Sequence, residues 1–164
     1  MRTAVLIAAT LTTGLMAGLF YAYSVSVMPG LGRTDDRTVV GTMQQINVAI
    51  QNGWFLVAFL GALVLTAVAA GLQLGTDGRS VLPWTVAALV LYVVTLAITF
   101  RANIPLNNEL DAAGAPDRIA DLAAVRERFE QAWVRWNIAR TVTCTVAFGC
   151  LTWALVLHGR LTPG

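Results

Sequence analysis

Apolar residues gather into four long stretches, and polar residues fall almost entirely between them. The stretches cover about residues 4–28, 54–74, 81–102 and 138–157. Each supplies the roughly 20 apolar residues that a helix needs to cross a bilayer. The pattern predicts an all-α fold, a four-transmembrane-helix bundle that forms a single integral membrane domain over residues 1–164. Pro29-Gly30 stands where the first helix is expected to stop. The first stretch lies behind Arg2, where a cleaved signal would also lie, but its length and its polar-aromatic end, Tyr21-Ala22-Tyr23-Ser24, favour a retained helix. Gly14 and Gly18, one turn apart, would let that helix pack closely against a neighbour.

The connectors carry a helical pattern of their own. Val39, Met43, Ile46 and Ile50 recur at helical spacing between Thr38 and Asn52, with Gln44, Asn47 and Gln51 on an adjacent stripe. This predicts an extra amphipathic helix after the first span, either at the interface or as an extension of the second span. The third span runs into Asn103-Ile104-Pro105-Leu106-Asn107-Asn108-Glu109. Pro105 disfavours helical geometry at Ile104 and removes a backbone donor, so the helix is expected to break or kink near Asn103, with Asn103 as its cap. Asp117 has the position of an N-cap for a further helix. Its apolar stripe, Ile119, Leu122, Val125, Phe129, Trp133 and Trp136, leads into the fourth span as a long helical extension.

Threading the spans up and down puts Arg2, Asp77, Arg79, His158 and Arg160 on the face of the two termini. Everything from Arg33 to Gln51 and from Arg101 to Arg140 falls on the opposite face, which is where a site is expected. Tryptophan favours membrane interfaces, and this threading sends Trp84 and Trp153 to the terminal side and Trp54, Trp133 and Trp136 to the other. Eight of the eleven arginines lie on the elaborate face, which by the positive-inside rule would be cytoplasmic, in a multi-pass protein of the cell (inner) membrane.

Composition narrows the function classes. With 57% hydrophobic and only 12% charged residues, and a mean hydropathy of +0.67, the chain is far from the roughly 25% charged residues of a soluble domain. A formal charge of +2 with no lysine gives no basic surface for nucleic acid. Cys144 and Cys150 face different directions on one helix and read as packing residues. With a single histidine, no metal site of the His/Cys type is expected.

Candidate chemistry therefore rests on amides, aromatics and one arginine. Gln44 and Asn47 lie on a polar stripe without charge, as suits a face that is partly buried and must still hydrogen-bond. Trp133, Asn137 and Arg140 are spaced i, i+4, i+7, and Trp136 and Arg140 form an i, i+4 pair suited to a cation–π contact. Arg140 precedes the fourth apolar run, so it either faces the bundle interior or reaches out to headgroups. Asn103 and Asn107 flank Pro105. Tyr21 and Tyr23 end the first span, as belt residues or as site residues.

Four patches, Gly18-Leu19-Phe20-Tyr21-Ala22-Tyr23-Ser24 with Met28-Pro29-Gly30-Leu31, Met43-Gln44-Gln45-Ile46-Asn47, the Asn103–Asn108 corner, and Trp133 through Arg140, resemble the four-helix membrane family formerly called DUF1772. That family includes the anthrone oxygenases of aromatic polyketide pathways, and the similarity covers nearly the whole chain. The resemblance implies a cofactor-independent monooxygenase, an oxidoreductase that turns an anthrone or related phenolic compound into a quinone with dioxygen as co-substrate. An anthrone loses a proton to give an electron-rich enolate, so the protein needs a base, an oxyanion stabiliser and a dry flat pocket. In that scheme Arg140, Asn103, Asn107 and Asn137 stabilise the oxyanion. Trp133, Trp136 and Tyr21 flank the rings, with Tyr23, off to the side of the Tyr21 face, as a further substrate-binding residue, and Gln44 and Asn47 close the polar rim. Glu109, the carboxylate nearest the corner, would be the base, with Tyr21 or Tyr23 as alternatives. The expected partners are the lipid bilayer and a hydrophobic aromatic small molecule, with a homo-oligomer left open. The alternative is a non-catalytic quinone- or lipid-binding protein, or a scaffold subunit.

Overall fold

The computed structural model describes residues 1–75 and 79–161; Asp77, assigned above to the terminal face, lies outside them. The chain is 87% helix. Five helices carry the fold: α1 (Arg2–Leu31), α2 (Asp36–Ala49), α3 (Gly53–Gly71), α4 (Leu82–Ala112) and α5 (Leu122–Leu161). All except α2 are long and apolar enough to cross a membrane. This is the expected all-α architecture of a membrane protein.

The bundle is held by small and hydroxylated inward residues. Ala9, Thr13, Ala62, Thr66, Ala88 and Ala147 are buried, while Leu11, Leu15, Val64, Val90 and Val146 point outward. Where lipid surrounds the helices, apolar burial gives little drive to associate, and small residues that let backbones approach supply the packing. Of the two glycines on α1, only Gly14 marks a close approach: a Cβ there would lie 2.9 Å from the Phe148 ring, whereas one on Gly18 would meet nothing. On the terminal face, Thr3 bonds His158 at 3.0 Å, the Trp84 and Trp153 rings meet edge-on at 6.3 Å, and Arg160 caps Trp153 at 5.9 Å.

The first helix runs through Pro29 and ends at Leu31, directly after the expected Pro29-Gly30 stop, and the third does not break at Pro105. Each helix widens into a π turn, Tyr23–Val27 in α1 and Thr99–Asn103 in α4, and then continues as α-helix through the proline. A proline in an α-helix clashes with the carbonyl four residues back and leaves it without a donor. An i→i+5 turn immediately upstream moves that carbonyl aside, and the backbone N–H groups of Met28 and Ile104 reach back five residues to Tyr23 and Thr99. Asn103 consequently makes no cap.

The amphipathic helix α2 is separate from α3. Asp35 caps its start, accepting from the Thr38 N–H at 3.0 Å and the Thr38 hydroxyl at 2.7 Å. These bonds hold the Asp35 carboxyl below its usual value, so the cap persists at neutral pH and weakens only as the pH falls through that lowered value. Asn52 then caps α3 through the Phe55 N–H. Asp117 is not the cap of α5; it lies in the short 3-10 turn Pro116–Arg118 and pairs with Arg37, while Asp121 takes the capping role, accepting from the Ala124 N–H at 2.9 Å.

Helix α2 folds back against α5 and the end of α4. Arg126 fixes it there. Its guanidinium donates to the carbonyls of Gly32 and Thr34 at 3.2 and 3.0 Å, to Asp36 at 2.9 Å and to Glu130 at 2.5 Å. A lysine cannot reproduce this fork. Arg126→Lys should therefore lower stability by about 1–3 kcal/mol, and Arg126→Ala by at least as much, each read as a lower unfolding midpoint in detergent micelles.

Candidate functional site

The two π turns both pack on α5, and residues of each line a cavity of about 400 Å³. Helix α2 covers it from the side of the connectors, and the start of α3 closes one flank. The buried or half-buried polar part of the wall is Asn47, Thr99, Asn103, Asn107, Asn137 and Arg140, with Gln51, Asn108 and Asp111 at the rim; Phe20, Tyr23, Phe59 and Trp133 supply aromatic surface.

Arg140 is 7% exposed. Its Nη2 donates to Asn137 Oδ1 at 2.9 Å and its Nη1 to the Thr99 hydroxyl at 3.5 Å. The guanidinium carbon lies 4.5 Å from the Phe20 ring centre and 5.5 Å from that of Trp133. Among the described residues, the ion pairs join Arg37 and Arg126 to carboxylates, and none involves Arg140. A charge at this depth is costly unless it is met by fixed dipoles, ring faces or a bound anion.

Asn137 is the hub. Its amide nitrogen donates to the Phe20 carbonyl at 3.0 Å and to the Ser24 hydroxyl at 2.8 Å, while its oxygen receives Arg140. Ser24 lies inside the π turn of α1 and Phe20 three residues before its start, so the amide of one helix is tied to another just where that helix widens. Asn107 plays a different part, accepting the Trp133 indole N–H at 2.8 Å and so fixing the ring; Tyr23 packs on the same ring at 5.6 Å. Asn103 donates to the Trp133 carbonyl at 3.4 Å.

Three buried polar atoms on the cavity wall have no protein partner: Arg140 Nε, Asn47 Nδ2 and Asn103 Oδ1. Buried polar groups are rarely left so, because each costs about 1–3 kcal/mol. Two are donors and one is an acceptor. A ligand that matched them would offer two acceptor oxygens and one hydroxyl.

The structure brings Tyr23, Asn47, Asn103, Asn107, Trp133, Asn137 and Arg140 to this cavity and leaves out four residues that the sequence suggested. Tyr21 and Trp136 are 57% and 46% exposed and point away from the bundle; the aromatic partners of Arg140 are Phe20 and Trp133, not Trp136. Gln44 spends its amide on the carbonyls of Leu110 and Gly114, tying α2 to the end of α4. Glu109 is exposed and off the wall. The carboxylate on the wall is Asp111, which sequence reasoning missed together with Phe20 and Thr99. Its signal is legible once α4 is known to continue: Asn103, Asn107 and Asp111 form one i, i+4, i+8 stripe, from which Glu109 is turned away.

Such a structure defines a class, the helical membrane proteins that enclose a polar and aromatic cavity at one end of a four-span bundle. Within that class the chain belongs to the anthrone oxygenase family, the former DUF1772, whose family profile matches residues 54–150, more than half of the chain. The matched region holds Asn103, Asn107, Trp133, Asn137 and Arg140; Phe20, Tyr23 and Asn47 lie before it. No curated protein and no solved structure matches the chain.

A residue kept for binding differs from one kept for stability in what its removal does. Arg140→Met preserves length and apolar contact while deleting a charge that no carboxylate balances, so the unfolding midpoint in micelles should hold or rise. Asn137→Ala strips partners from Phe20, Ser24 and Arg140 and should lower stability by about 1–3 kcal/mol. A drop for Arg140→Met as large as that for Asn137→Ala would make Arg140 a structural residue.

Proposed function

We propose that this protein oxygenates a flat phenolic substrate of the anthrone type, with dioxygen as co-substrate and the substrate itself as the source of electrons. The observation that carries this reading is the buried Arg140 guanidinium, unpaired with any described carboxylate and set among aromatic faces. Loss of a proton from the ring methylene of an anthrone places negative charge on its carbonyl oxygen, and Arg140 would hold that oxygen, with Asn103 and Asn47 contacting the neighbouring oxygens. A donor fixed before the charge develops needs no reorganisation during the reaction. Trp133, Tyr23, Phe20 and Phe59 would flank the rings, in a cavity of the size usual for small-molecule sites.

The chemistry balances without a further reagent. The enolate carbon passes its electron pair to dioxygen, one electron at a time, and a C–O bond forms; protonation gives a hydroperoxide. Loss of the remaining C–H proton and cleavage of the O–O bond leave a new carbonyl, with hydroxide and a proton leaving as water. One methylene and one dioxygen become one carbonyl and one water. Asp111, on the cavity wall at its exposed rim, is the carboxylate we assign to the proton transfers. The same reading puts the protein in the cell (inner) membrane with the cavity toward the cytoplasm, in keeping with eight of eleven arginines on that side.

Oxygen uptake by the protein in lipid vesicles, with dihydroxyanthrone as substrate, tests the proposal. Arg140→Met and Asn103→Leu should each cut turnover about tenfold or more, on the scale of lost oxyanion donors. Asp111→Asn should also slow turnover, and Glu109→Gln should leave it unchanged. Uptake by the wild-type protein no faster than by empty vesicles, alongside tight binding of the quinone product, would favour the non-catalytic quinone binder instead.

A further inference from the structure

The cavity wall differs between its two open sides. Beneath α2 the rim is polar, with Gln51, Asn108 and Asp111. On the flank between α3 and α4 the lining residues Leu56, Leu60 and Phe100 are 46%, 48% and 57% exposed, so they belong at once to the cavity and to the outer surface of the bundle. Trp54, 89% exposed at the start of α3, marks the interface level. Leu60 lies six residues further along the same helix, which at 1.5 Å per residue is about 9 Å deeper, within the hydrocarbon. Here α3 packs on the part of α4 before the π turn, while the π turn and the segment after it pack on α5, so α3 and α4 part at the level of the cavity. Helix α2 meanwhile lines the cavity with the apolar side chains of Met43, Ile46 and Ile50.

We propose that Leu56, Leu60 and Phe100 frame a lateral portal through which the substrate passes directly between the bilayer and the cavity. The substrate is thus a membrane-dissolved amphiphile: its apolar ring edge faces lipid while its oxygens turn inward to Arg140. The polar rim passes only protons and water. This rests on the proposed reading of the cavity and adds the route and the physical state of the substrate.

A peri-dihydroxyanthraquinone, which binds without reacting, tests it. Binding to the full-length protein in vesicles is followed by stopped-flow absorbance. The observed rate should scale with the quinone-to-lipid ratio and fall when lipid is added at constant total quinone. Leu60→Trp and Leu56→Trp, bulky changes on lipid-facing positions, should slow association and dissociation together, about fivefold or more, so that affinity holds; a passage narrowed without loss of contacts acts on both directions alike. A membrane-impermeant sulfonated analogue should fail to bind. Unchanged rates in both tryptophan variants, or equally fast binding of the sulfonate, would overturn the portal. Arg140-dependent equilibrium binding would survive that outcome, leaving the proposed function intact. A wild-type protein that binds no quinone at all removes both.

Discussion

A guanidinium withdrawn from water costs several kcal/mol unless its charge is answered, and around Arg140 the answer comes from dipoles and rings. Asn137 and Thr99 accept its hydrogen bonds, Phe20 and Trp133 offer their faces, and Nε is left without a protein partner. Much of the upper bundle follows from this arrangement. Asn137 must be held to hold Arg140, and it is held by the backbone of α1 and by Ser24. Trp133 must keep its ring in place, and Asn107 on α4 takes its N–H. Three helices are thus registered against one another by the surroundings of one charge.

The paired π turns show how a membrane helix accommodates polar chemistry. Each wide turn lies just before a proline, and each lies on the cavity wall. In hydrocarbon an unsatisfied carbonyl is expensive, so a proline needs a compensating device close by. Here the widened segment also carries a side chain that the site uses: Ser24, inside the first π turn, donates to the Phe20 carbonyl at 3.1 Å and accepts from Asn137 at 2.8 Å. The same local widening that absorbs the proline therefore helps to position the hub of the site.

Helices and spans were legible because apolar runs of that length leave little choice of structure. The amphipathic α2 and the long extension of α5 were legible from periodicity alone. The site was legible in part, and its errors share one cause. Reading Pro105 as a break discards helical register beyond Asn103, and Glu109 then looks nearest to the corner; with register kept, Asp111 falls on the stripe of Asn103 and Asn107. On α5, the buried stripe runs Phe129, Trp133, Asn137, Arg140, Cys144. The i, i+4, i+7 spacing puts Trp133, Asn137 and Arg140 on that face; carrying the apolar stripe on to Trp136 as well is a one-residue slip, about 100° of rotation, enough to move an aromatic ring from the interior to the outer surface. Phe20 was hidden for another reason: as a large apolar residue within an apolar run, it carries no mark of its contact with a charge.

Helix α5 is a rod of 40 residues, about 60 Å long, or twice the thickness of a bilayer's hydrocarbon. It carries Arg140 and, 13 residues or about 20 Å along, the Trp153–Arg160 pair that grips the opposite interface. Because the rod is unbroken, the distance from that anchor to the guanidinium is constant, and the thickness of the host membrane decides how deep Arg140 sits beneath the far surface. Bilayer composition thereby becomes a dial on the local electrostatic potential: a thicker membrane submerges the cation further and sharpens its demand for an anion, while a thinner one lets headgroups and water relieve it.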